Sequence, residues 1–252
     1  MRVEGKTFLV TGANAGIGYH VAEQLAGTGA TVVLGSRSAT KADAAMASIR
    51  AVVPGARVRH LQLDLADLTS LKAAAGELDV LDAVVCNAGV MIDDAELMYT
   101  TNYLGHFVLV SWLMPLLAAA PEGRVVTTGS LRGKKVKAGD AYARSKQAQM
   151  LFGFELARRQ SAVKSIINHP GGALDSITFP ASLLLQDKAA GAWPAVRAVL
   201  DPDVRSGEML GPRVFGLRGR PRIEPVRGQL ADEALAARVW EESVELTGVE
   251  PA

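Results

Sequence analysis

A tyrosine and a lysine stand one helical turn apart in the middle of the chain, and a serine precedes them. Tyr142 and Lys146 are four positions apart, so on a helix their side chains share one face. An ammonium beside a phenol favours the phenolate and lowers a phenol pKa that starts near ~10. The hydroxyl of Ser130, at the end of a preceding strand, could hold a carbonyl oxygen beside that phenol. These residues indicate proton transfer to or from a carbonyl or carbinol oxygen.

A glycine-rich segment near the start of the chain supplies the other half of this chemistry. Residues 11–18 read Thr-Gly-Ala-Asn-Ala-Gly-Ile-Gly, between a β-rich run at 7–10 and an apolar-periodic run at 17–25. A glycine turn between a strand and a helix can hold the pyrophosphate of a dinucleotide. Such turns also need glycine for purely structural reasons, so the turn alone decides little. Together with the serine, tyrosine and lysine, it predicts hydride transfer between a nicotinamide and a carbonyl or carbinol.

Composition limits the classes of protein that fit. Of the 252 residues, 49% are hydrophobic and only 5% aromatic, so the core must be mainly aliphatic, as suits parallel strands covered by helices. Lys and Arg number 27 against 26 Asp and Glu, a balance that predicts neither a nucleic-acid partner nor an anionic membrane surface. The single cysteine, Cys86, cannot form an internal disulfide, which favours a reducing, cytoplasmic location.

No segment reads as a membrane span or a signal peptide. The most apolar segment, 107–117, is too short to cross a bilayer and contains Pro115. The first residues, Met-Arg-Val-Glu-Gly-Lys, lack the apolar stretch of a secretion signal. We therefore expect no membrane span.

Strand-like and helix-like runs alternate along most of the chain. This alternation predicts βαβ units with right-handed crossovers, and hence a Rossmann-type doubly wound parallel sheet of about seven strands with helices on both faces. The glycine turn, Asn87 and Pro170 should all lie at the carboxyl ends of strands. We find no repeat or linker, so residues 1–252 are expected to form a single domain; after Gly172 the pattern weakens.

The motifs resemble those of the short-chain dehydrogenase/reductase family. The family's T-G-x-x-x-G-x-G stands at 11–18, its N-A-G at 87–89, and its P-G turn at 170–171. Its catalytic Asn, Ser, Tyr and Lys correspond to Asn102, Ser130, Tyr142 and Lys146. The likeness runs from Lys6 to about Gly172 and is greatest to members similar to retinol dehydrogenases and protochlorophyllide reductases.

The resemblance implies a role for each matched residue. Tyr142 donates the proton when a ketone is reduced, and Lys146 lowers the phenol pKa and binds the nicotinamide ribose. Ser130 polarises the substrate oxygen, and Asn102 holds a water that links Lys146 to solvent. The implied cofactor contacts are Gly12, Asn14, Ala15, Gly16, Ile17, Gly18, Ser36, Arg37, Asp64, Leu65, Asn87, Ala88, Gly89, Tyr142, Lys146, Pro170 and Gly171.

The end of the second strand bears on the choice of cofactor. A carboxylate there would bond a ribose 2′-hydroxyl and repel a 2′-phosphate. This chain has Ser36 and Arg37 instead, with Lys41 a turn further on, and an arginine can present a fork to a phosphate. We expect NADP(H) in preference to NAD(H), although a solvated Arg37 that only caps a loop is the alternative.

Two positions leave alternatives open. Asp64 either touches the adenine edge or caps a helix N-terminus. Where the family often has a threonine that bonds the nicotinamide amide, this chain has Asp175 beside Ser176. No histidine has Cys, Asp or Glu companions at metal-ligand spacing, so we expect no metal.

A fairly apolar small-molecule carbonyl or alcohol is the expected substrate. The family places loops over the substrate, here within about 173–225, and candidate pocket walls are Met91, Ile92, Ile177, Phe179, Leu183, Leu184 and Leu185. The rival functions are reduction of a conjugated C=C bond and NADP sensing without turnover. An arginine patch (Arg213, Arg218, Arg220 and Arg222) is either a solvated loop or a handle for an anionic substrate.

Two long helices carry more apolar surface than one sheet needs. Residues 107–117 are apolar nearly all round, and so is much of the helix that follows Tyr142. In the family these helices pair with those of another subunit, which predicts a homodimer or homotetramer. The alternative is that the C-terminal segment, 230–246, folds back and covers them within one chain.

Overall fold

The fold is described by a computed structural model for residues 3–174 and 185–251. The strands are Thr7–Thr11 (β1), Thr31–Ser36 (β2), Arg57–Gln62 (β3), Ala83–Cys86 (β4), Arg124–Thr128 (β5), Lys164–Asn168 (β6), Ala173–Leu174 (β7), Gln186–Asp187 (β8), Met209–Val214 (β9) and Arg218–Glu224 (β10). The α-helices are Gly16–Ala26 (α1), Ala39–Val52 (α2), Leu71–Ala75 (α3), Ala95–Tyr99 (α4), Gly105–Ala119 (α5), Ala141–Arg159 (α6), Lys188–Gly191 (α7), Trp193–Leu200 (α8) and Glu233–Thr247 (α9).

One large sheet holds most of these strands in the order β10-β9-β6-β5-β4-β1-β2-β3. All neighbouring pairs are parallel except β9 and β10, which form an antiparallel hairpin at one edge. The prediction of a doubly wound parallel sheet is confirmed, and the strand count differs by the added β10. β7 and β8 form a separate short parallel pair.

Alternating side chains of the strands face two helical layers. In β1, Leu9 packs in a core with residues of α3, α5, α6 and α9, whereas Phe8 and Val10 pack with residues of α1, α2 and α8. Both cores consist mainly of Ala, Val, Leu and Ile, as the composition predicts. The central strands β1 and β4 are buried on both faces and are mainly apolar, whereas the edge strand β3 alternates.

The segment from 173 to 225 is mostly part of this scaffold. α8 packs its buried residues into the core, and β9 continues the parallel sheet beside β6. α8 and β9 thus serve the scaffold, and the expectation that parts of 173–225 cover a substrate stays a prediction. Residues 175–184, which include several expected pocket walls, lie outside the described part.

The long helical stretch Ala95–Ala119 joins α4, a π-helical turn (Thr100–Leu104) and α5. At 25 residues it is long and apolar enough to cross a membrane, and thus longer than the apolar segment read from the sequence. In the structure 72% of its apolar window is buried, as is typical of a core helix.

The C-terminal helix α9 lies against α5 and α6. Trp240 is buried, with its ring 5.3 Å from that of Phe107 and 5.8 Å from that of Phe152. Ser243 is bonded to the hydroxyl of Tyr103 at 2.6 Å. The apolar surface that led us to expect a second subunit is thus covered in part by the chain itself, which is the alternative arrangement.

Candidate active site

The glycine turn after β1 packs closely against the Asn87 turn after β4. Gly12 and Gly16 have φ angles of +67° and +62°, which favour glycine. A β-carbon on Gly18 would lie 2.5 Å from the Asn87 amide nitrogen. The turn therefore packs directly on the Asn87 turn after β4, the neighbouring strand, as the sequence predicts.

The N-terminus of α1 has no side-chain cap. Ala15 occupies the N-cap position, and the first turn contains no acidic residue. The helices α2 and α6 are instead capped by Ser38 and Asp140. An uncapped helix N-terminus leaves backbone N–H groups and a partial positive charge for an anionic ligand.

A cavity of about 440 Å³ opens in front of this helix end. Its walls come from the ends of β1, β2, β3 and β4, where the strand order reverses, which is the usual ligand position in such sheets. The expected cofactor residues that line it are Gly12, Asn14, Ala15, Gly16, Ile17, Gly18, Ser36, Arg37, Asp64, Leu65, Asn87, Ala88 and Gly89. The glycine cradle, the uncapped helix and these walls fit a dinucleotide.

Some expected residues do not line this cavity, and some unexpected ones do. The first group is Asn102, Ser130, Tyr142, Lys146, Pro170 and Gly171, and the second is Thr11, Gly35, Leu63, Val90, Thr101 and Lys188. Lys188, at the start of α7, has its ammonium 3.9 Å from where a β-carbon on Gly16 would stand. No sequence signal marks it, since the fold alone brings it to the glycine turn.

The hydroxyl of Thr11 joins the glycine turn after β1 to the Asn87 turn after β4 by hydrogen bonds. Its oxygen accepts hydrogen bonds from the backbone N–H groups of Asn87 and Ala88, at 3.0 and 2.9 Å, and lies 2.8 Å from His106 Nε2. His106 Nδ1 donates to the Asn102 carbonyl at 3.1 Å, so Nε2 carries no proton and accepts from the Thr11 hydroxyl, which also lies 3.3 Å from the Val85 carbonyl. Burial lowers the pKa of His106 to about 3, so the ring is neutral.

At the end of β2, the serine and the arginine have different surroundings. Ser36 is buried, and its hydroxyl lies 3.2 Å from His60 Nε2. Arg37 is exposed at the cavity wall, and within the described residues its guanidinium has no ion-pair partner. Asp64, beyond β3, accepts from the Ala66 N–H at 3.0 Å and thus closes a turn rather than capping a helix.

Lys146 is buried beside the far end of the cavity. A β-carbon on Gly89 would lie 3.1 Å from its ammonium and 3.3 Å from Asn102 Oδ1, so these side chains meet around that glycine. The ammonium donates to Gln149 Oε1 at 2.8 Å and to the Thr128 carbonyl at 3.2 Å. Burial lowers the pKa of Lys146 to about 8.

Asn102 lies in the π-helical turn and uses its whole amide. Its oxygen accepts from the Val90 N–H at 2.7 Å, and its nitrogen donates to the Val90 carbonyl at 2.9 Å and to Ser145 Oγ at 3.0 Å. These bonds fix the loop after Gly89. The water-holding role of Asn102 stays a prediction.

Tyr142 lies in the first turn of α6, with its phenol near the hydroxyl of Ser130, which follows β5. Burial raises the pKa of Tyr142, and the Ser130 hydroxyl and the nearby Arg132 guanidinium only partly offset this rise. Lys146 is not among the groups that shift this pKa, because its ammonium donates to Gln149 and to the Thr128 carbonyl, so the expected lowering of the Tyr142 pKa by Lys146 is not seen.

The Pro170-Gly171 turn follows β6 and rests on the β9–β10 hairpin. Gly171 has a φ of +71°, and a β-carbon there would lie 2.5 Å from the Leu217 carbonyl. Its N–H donates to His169 Nδ1 at 3.2 Å. His169, wholly buried, lies 3.1 Å from Glu224, which also bonds Lys134 at 2.5 Å.

The substrate side of the site is described only in part. Asp175, Ser176, Ile177, Phe179, Leu183 and Leu184 lie outside the described residues. Met91 and Ile92 are exposed, and Leu185 is half-buried with its side chain close to Gly172. Over the described ranges, no group of three His, Cys, Asp or Glu residues could hold a metal ion.

Comparison with known proteins identifies the class of protein. The family model for short chain dehydrogenases matches residues 6–173. Retinol dehydrogenase 13 of Homo sapiens is 30% identical, with 98% of this chain and 86% of that protein covered. Polyprenol dehydrogenase of Mus musculus is 34% identical, with 97% and 84% covered. The chain therefore belongs to the short-chain dehydrogenase family. It is an NAD(P)-dependent oxidoreductase that acts on CH–OH or C=O groups.

Solved structures agree with this assignment. An uncharacterized protein from Mycobacterium paratuberculosis superposes with a TM-score of 0.82 at 32% identity, covering 100% of this chain and 96% of the other. A short chain dehydrogenase from Burkholderia cenocepacia J2315, solved in complex with NADP, gives a TM-score of 0.67 at 27% identity, covering 79% and 92%.

Proposed function

We propose that the protein is an NADP-dependent carbonyl reductase or alcohol dehydrogenase for a fairly apolar small molecule. The observation that carries this proposal is the continuity of the site: the cavity in front of the uncapped helix α1 ends at Gly89, where Asn102 and the buried Lys146 meet. A dinucleotide in the cavity would thus extend toward the residues that can move a proton.

Each residue of the candidate catalytic set has a distinct task. Tyr142 donates its phenolic proton to the substrate oxygen during reduction, and Ser130 holds that oxygen and the phenol together. Lys146 binds the nicotinamide ribose through its ammonium, which lies beside Gly89 at the end of the cavity. The bound nicotinamide supplies the hydride.

The preference for NADP(H) rests on the end of β2. Arg37 is exposed at the cavity wall with no described ion-pair partner, and no carboxylate stands at the end of that strand. A 2′-phosphate placed there would gain a charge-assisted hydrogen bond, whereas a 2′-hydroxyl would gain far less. The solved relative with bound NADP supports this assignment.

The substrate class is supported by two kinds of observation. Relatives named for retinol and for polyprenol favour an alcohol or aldehyde with a largely apolar body. Met91 and Ile92, exposed on the loop after Gly89, offer apolar contacts on that side of the site. Proton transfer at an oxygen also suits the Ser130–Tyr142 pair.

A panel of apolar aldehydes, ketones and alcohols, followed at the NADPH absorbance, tests this function. We expect turnover of at least one class and its loss in Tyr142→Phe, which should bind NADPH nearly as tightly as the wild type in a fluorescence titration. Lys146→Ala should reduce both turnover and binding. A wild type that binds NADPH but turns over nothing in the panel would contradict the proposal, and a Tyr142→Phe variant that keeps most of its rate would contradict the role of Tyr142.

A further inference from the structure

The tip of the β9–β10 hairpin presents a large apolar side chain to solvent. Phe215 is 85% exposed and has a φ of +52°, the one positive value among the described residues other than glycine. A bulky residue in this backbone region is strained, and its exposed ring gains nothing from packing within the chain. Neither the backbone strain nor the exposure of Phe215 is offset by packing within the chain. An external partner for the ring is the simplest physical explanation for this arrangement.

Arginines surround this phenylalanine. The fifteen residues 209–223 contain Arg213, Arg218, Arg220 and Arg222 and no acidic residue, in a chain whose net charge is only +1. Arg213, Arg220 and Arg222 are exposed. The arginine patch seen in the sequence therefore lies on the single β9–β10 hairpin and gives it a local positive charge.

Two further apolar side chains extend the exposed surface of the hairpin. Val214 is 43% exposed beside the tip, and Ile223 is 47% exposed near the far end of β10. The nearest acidic residue of the hairpin, Glu224, is buried and already bonded to Lys134 and His169, so it does not neutralise the exposed Arg213, Arg220 and Arg222.

The hairpin tip is next to the candidate active site. The Leu217 carbonyl accepts from the Gly172 N–H at 2.9 Å, directly after the Pro170-Gly171 turn. A β-carbon on Gly216 would lie 3.7 Å from Leu131, the residue that follows Ser130. Whatever binds the tip is therefore held close to the turns that follow Ser130 and Pro170.

We propose that this hairpin docks the protein on an anionic lipid bilayer surface, with Phe215 inserted at the headgroup boundary and the arginines among the phosphates. An apolar ring inside a ring of cations matches that interface, where aromatic side chains and Lys or Arg each contribute to binding. A small soluble anion would use the arginines but would leave Phe215 exposed. If the proposed function holds, docking also places the site where an apolar substrate can leave the bilayer.

Co-sedimentation with phosphatidylcholine vesicles, with and without phosphatidylglycerol, tests the docking on the full chain and needs no substrate. We expect binding to the anionic vesicles that weakens with added salt, and little binding to the neutral ones. Phe215→Ser should weaken binding about tenfold, and each of Arg213→Gln, Arg220→Gln and Arg222→Gln about fivefold. Phe215→Gly removes the ring and suits the positive φ, so it should lose vesicle binding while its thermal unfolding stays close to that of the wild type.

Two matched controls lie on α9, away from the hairpin. Leu246, 68% exposed, is an apolar side chain whose change to serine should leave vesicle binding unchanged, and Arg238→Gln should do the same. Wild-type protein that stays in solution with anionic vesicles would overturn the proposal. So would binding that the hairpin and control variants affect equally. Because turnover plays no part in this assay, failure here is separate from failure of the proposed function.

Discussion

The ammonium of Lys146 is held in a buried hydrogen-bonded chain rather than left to solvent. Gln149 accepts from it and donates from its amide nitrogen to the Cys86 carbonyl at 2.9 Å, at the end of β4. Cys86 and His106 also face the ammonium, and both are uncharged near neutral pH, since burial raises the pKa of Cys86 to about 12 and lowers that of His106 to about 3. The charge on Lys146 is thus present below pH 8 and lost as the pH rises through about 8.

Gln149→Glu should therefore shift the alkaline limb of the pH profile of kcat/KM. A carboxylate beside the ammonium favours the charged form, so we expect the limb, near pH 8 in the wild type, to rise by about one unit or more. Gln149→Met, which removes the acceptor at similar size, should move it down. Gln147→Glu, on the same helix but bonded to Gln229, is the control. The pH profile of kcat/KM measures this; a limb in the same place in all variants would mean that Gln149 has only a structural role.

Substitutions of Arg37 and Lys188 should distinguish binding of the 2′-phosphate from binding of the pyrophosphate. Arg37→Ala should weaken NADPH binding about tenfold or more, on the order of 1.5–3 kcal/mol, with little effect on NADH. Lys188→Ala should weaken both cofactors alike, because its ammonium lies over the glycine turn, where the pyrophosphate shared by both would bind. Fluorescence titrations with each cofactor measure this. Wild-type protein that binds NADH as tightly as NADPH would contradict the role of Arg37.

At the scale of elements, a buried ionic cluster joins three segments of the site. Lys134, on the turn after Ser130, and Glu224, on β10, meet at His169 before the Pro170-Gly171 turn. Burial alone would raise the pKa of Glu224, but hydrogen bonds from His169 and Lys134 outweigh it and hold the pKa at about 2. Gly211 is needed here, because a β-carbon at that position would collide with His169.

Glu224→Gln should reduce the stability of the fold near neutral pH and flatten its acid dependence. A carboxylate with a lowered pKa stabilises the folded state above about 4.5, and this contribution is lost as the pH falls toward about 2. Thermal unfolding at several pH values measures the effect. Glu208→Gln, which removes a pair with the exposed Arg205, is the control and should change little. Equal effects of the two changes would argue against a special role for the buried cluster.

The elements differ in how far the sequence predicted them. The alternation of strand-like and helix-like runs, separated by turn residues, predicted β1 to β6 and the helices between them. It also predicted that the Gly12 and Asn87 turns lie together. β9 and β10 were not predicted, because Pro212 and Pro221 face each other in that pair and its glycines and arginines break the strand pattern. The raised pKa of Tyr142 and the position of Lys188 depend on burial and tertiary contact, which spacing along the chain does not contain.

For the whole molecule, the position of α9 bears on assembly. Trp240 stacks on Phe152 and meets Phe107, so α9 occupies part of the surface that a second subunit would use. We therefore expect a single chain of 26.5 kDa in light scattering at micromolar concentration, in place of the dimer or tetramer expected from the sequence. A mass of two or four chains would show that the interface forms beside α9.

Trp240→Ala should test how much α9 depends on this contact. Loss of a fully buried tryptophan costs about 3–5 kcal/mol, so thermal unfolding should occur at a clearly lower temperature. Exposure of Phe107 and Phe152 should also favour association, which light scattering would detect. Leu246→Ser, at an exposed site on the same helix, should leave both measurements unchanged.

The two outer strands of the large sheet also decide how folded molecules behave in crowded solution. A bare strand edge is a template for pairing with a neighbouring molecule. Here one edge, β3, carries the exposed Arg57 and Arg59, and the other, β10, interrupts its row of N–H donors with Pro221 and a register shift. Positive charge at both ends makes edge-to-edge approach repulsive. This open sheet is thereby protected from growing into a continuous intermolecular one.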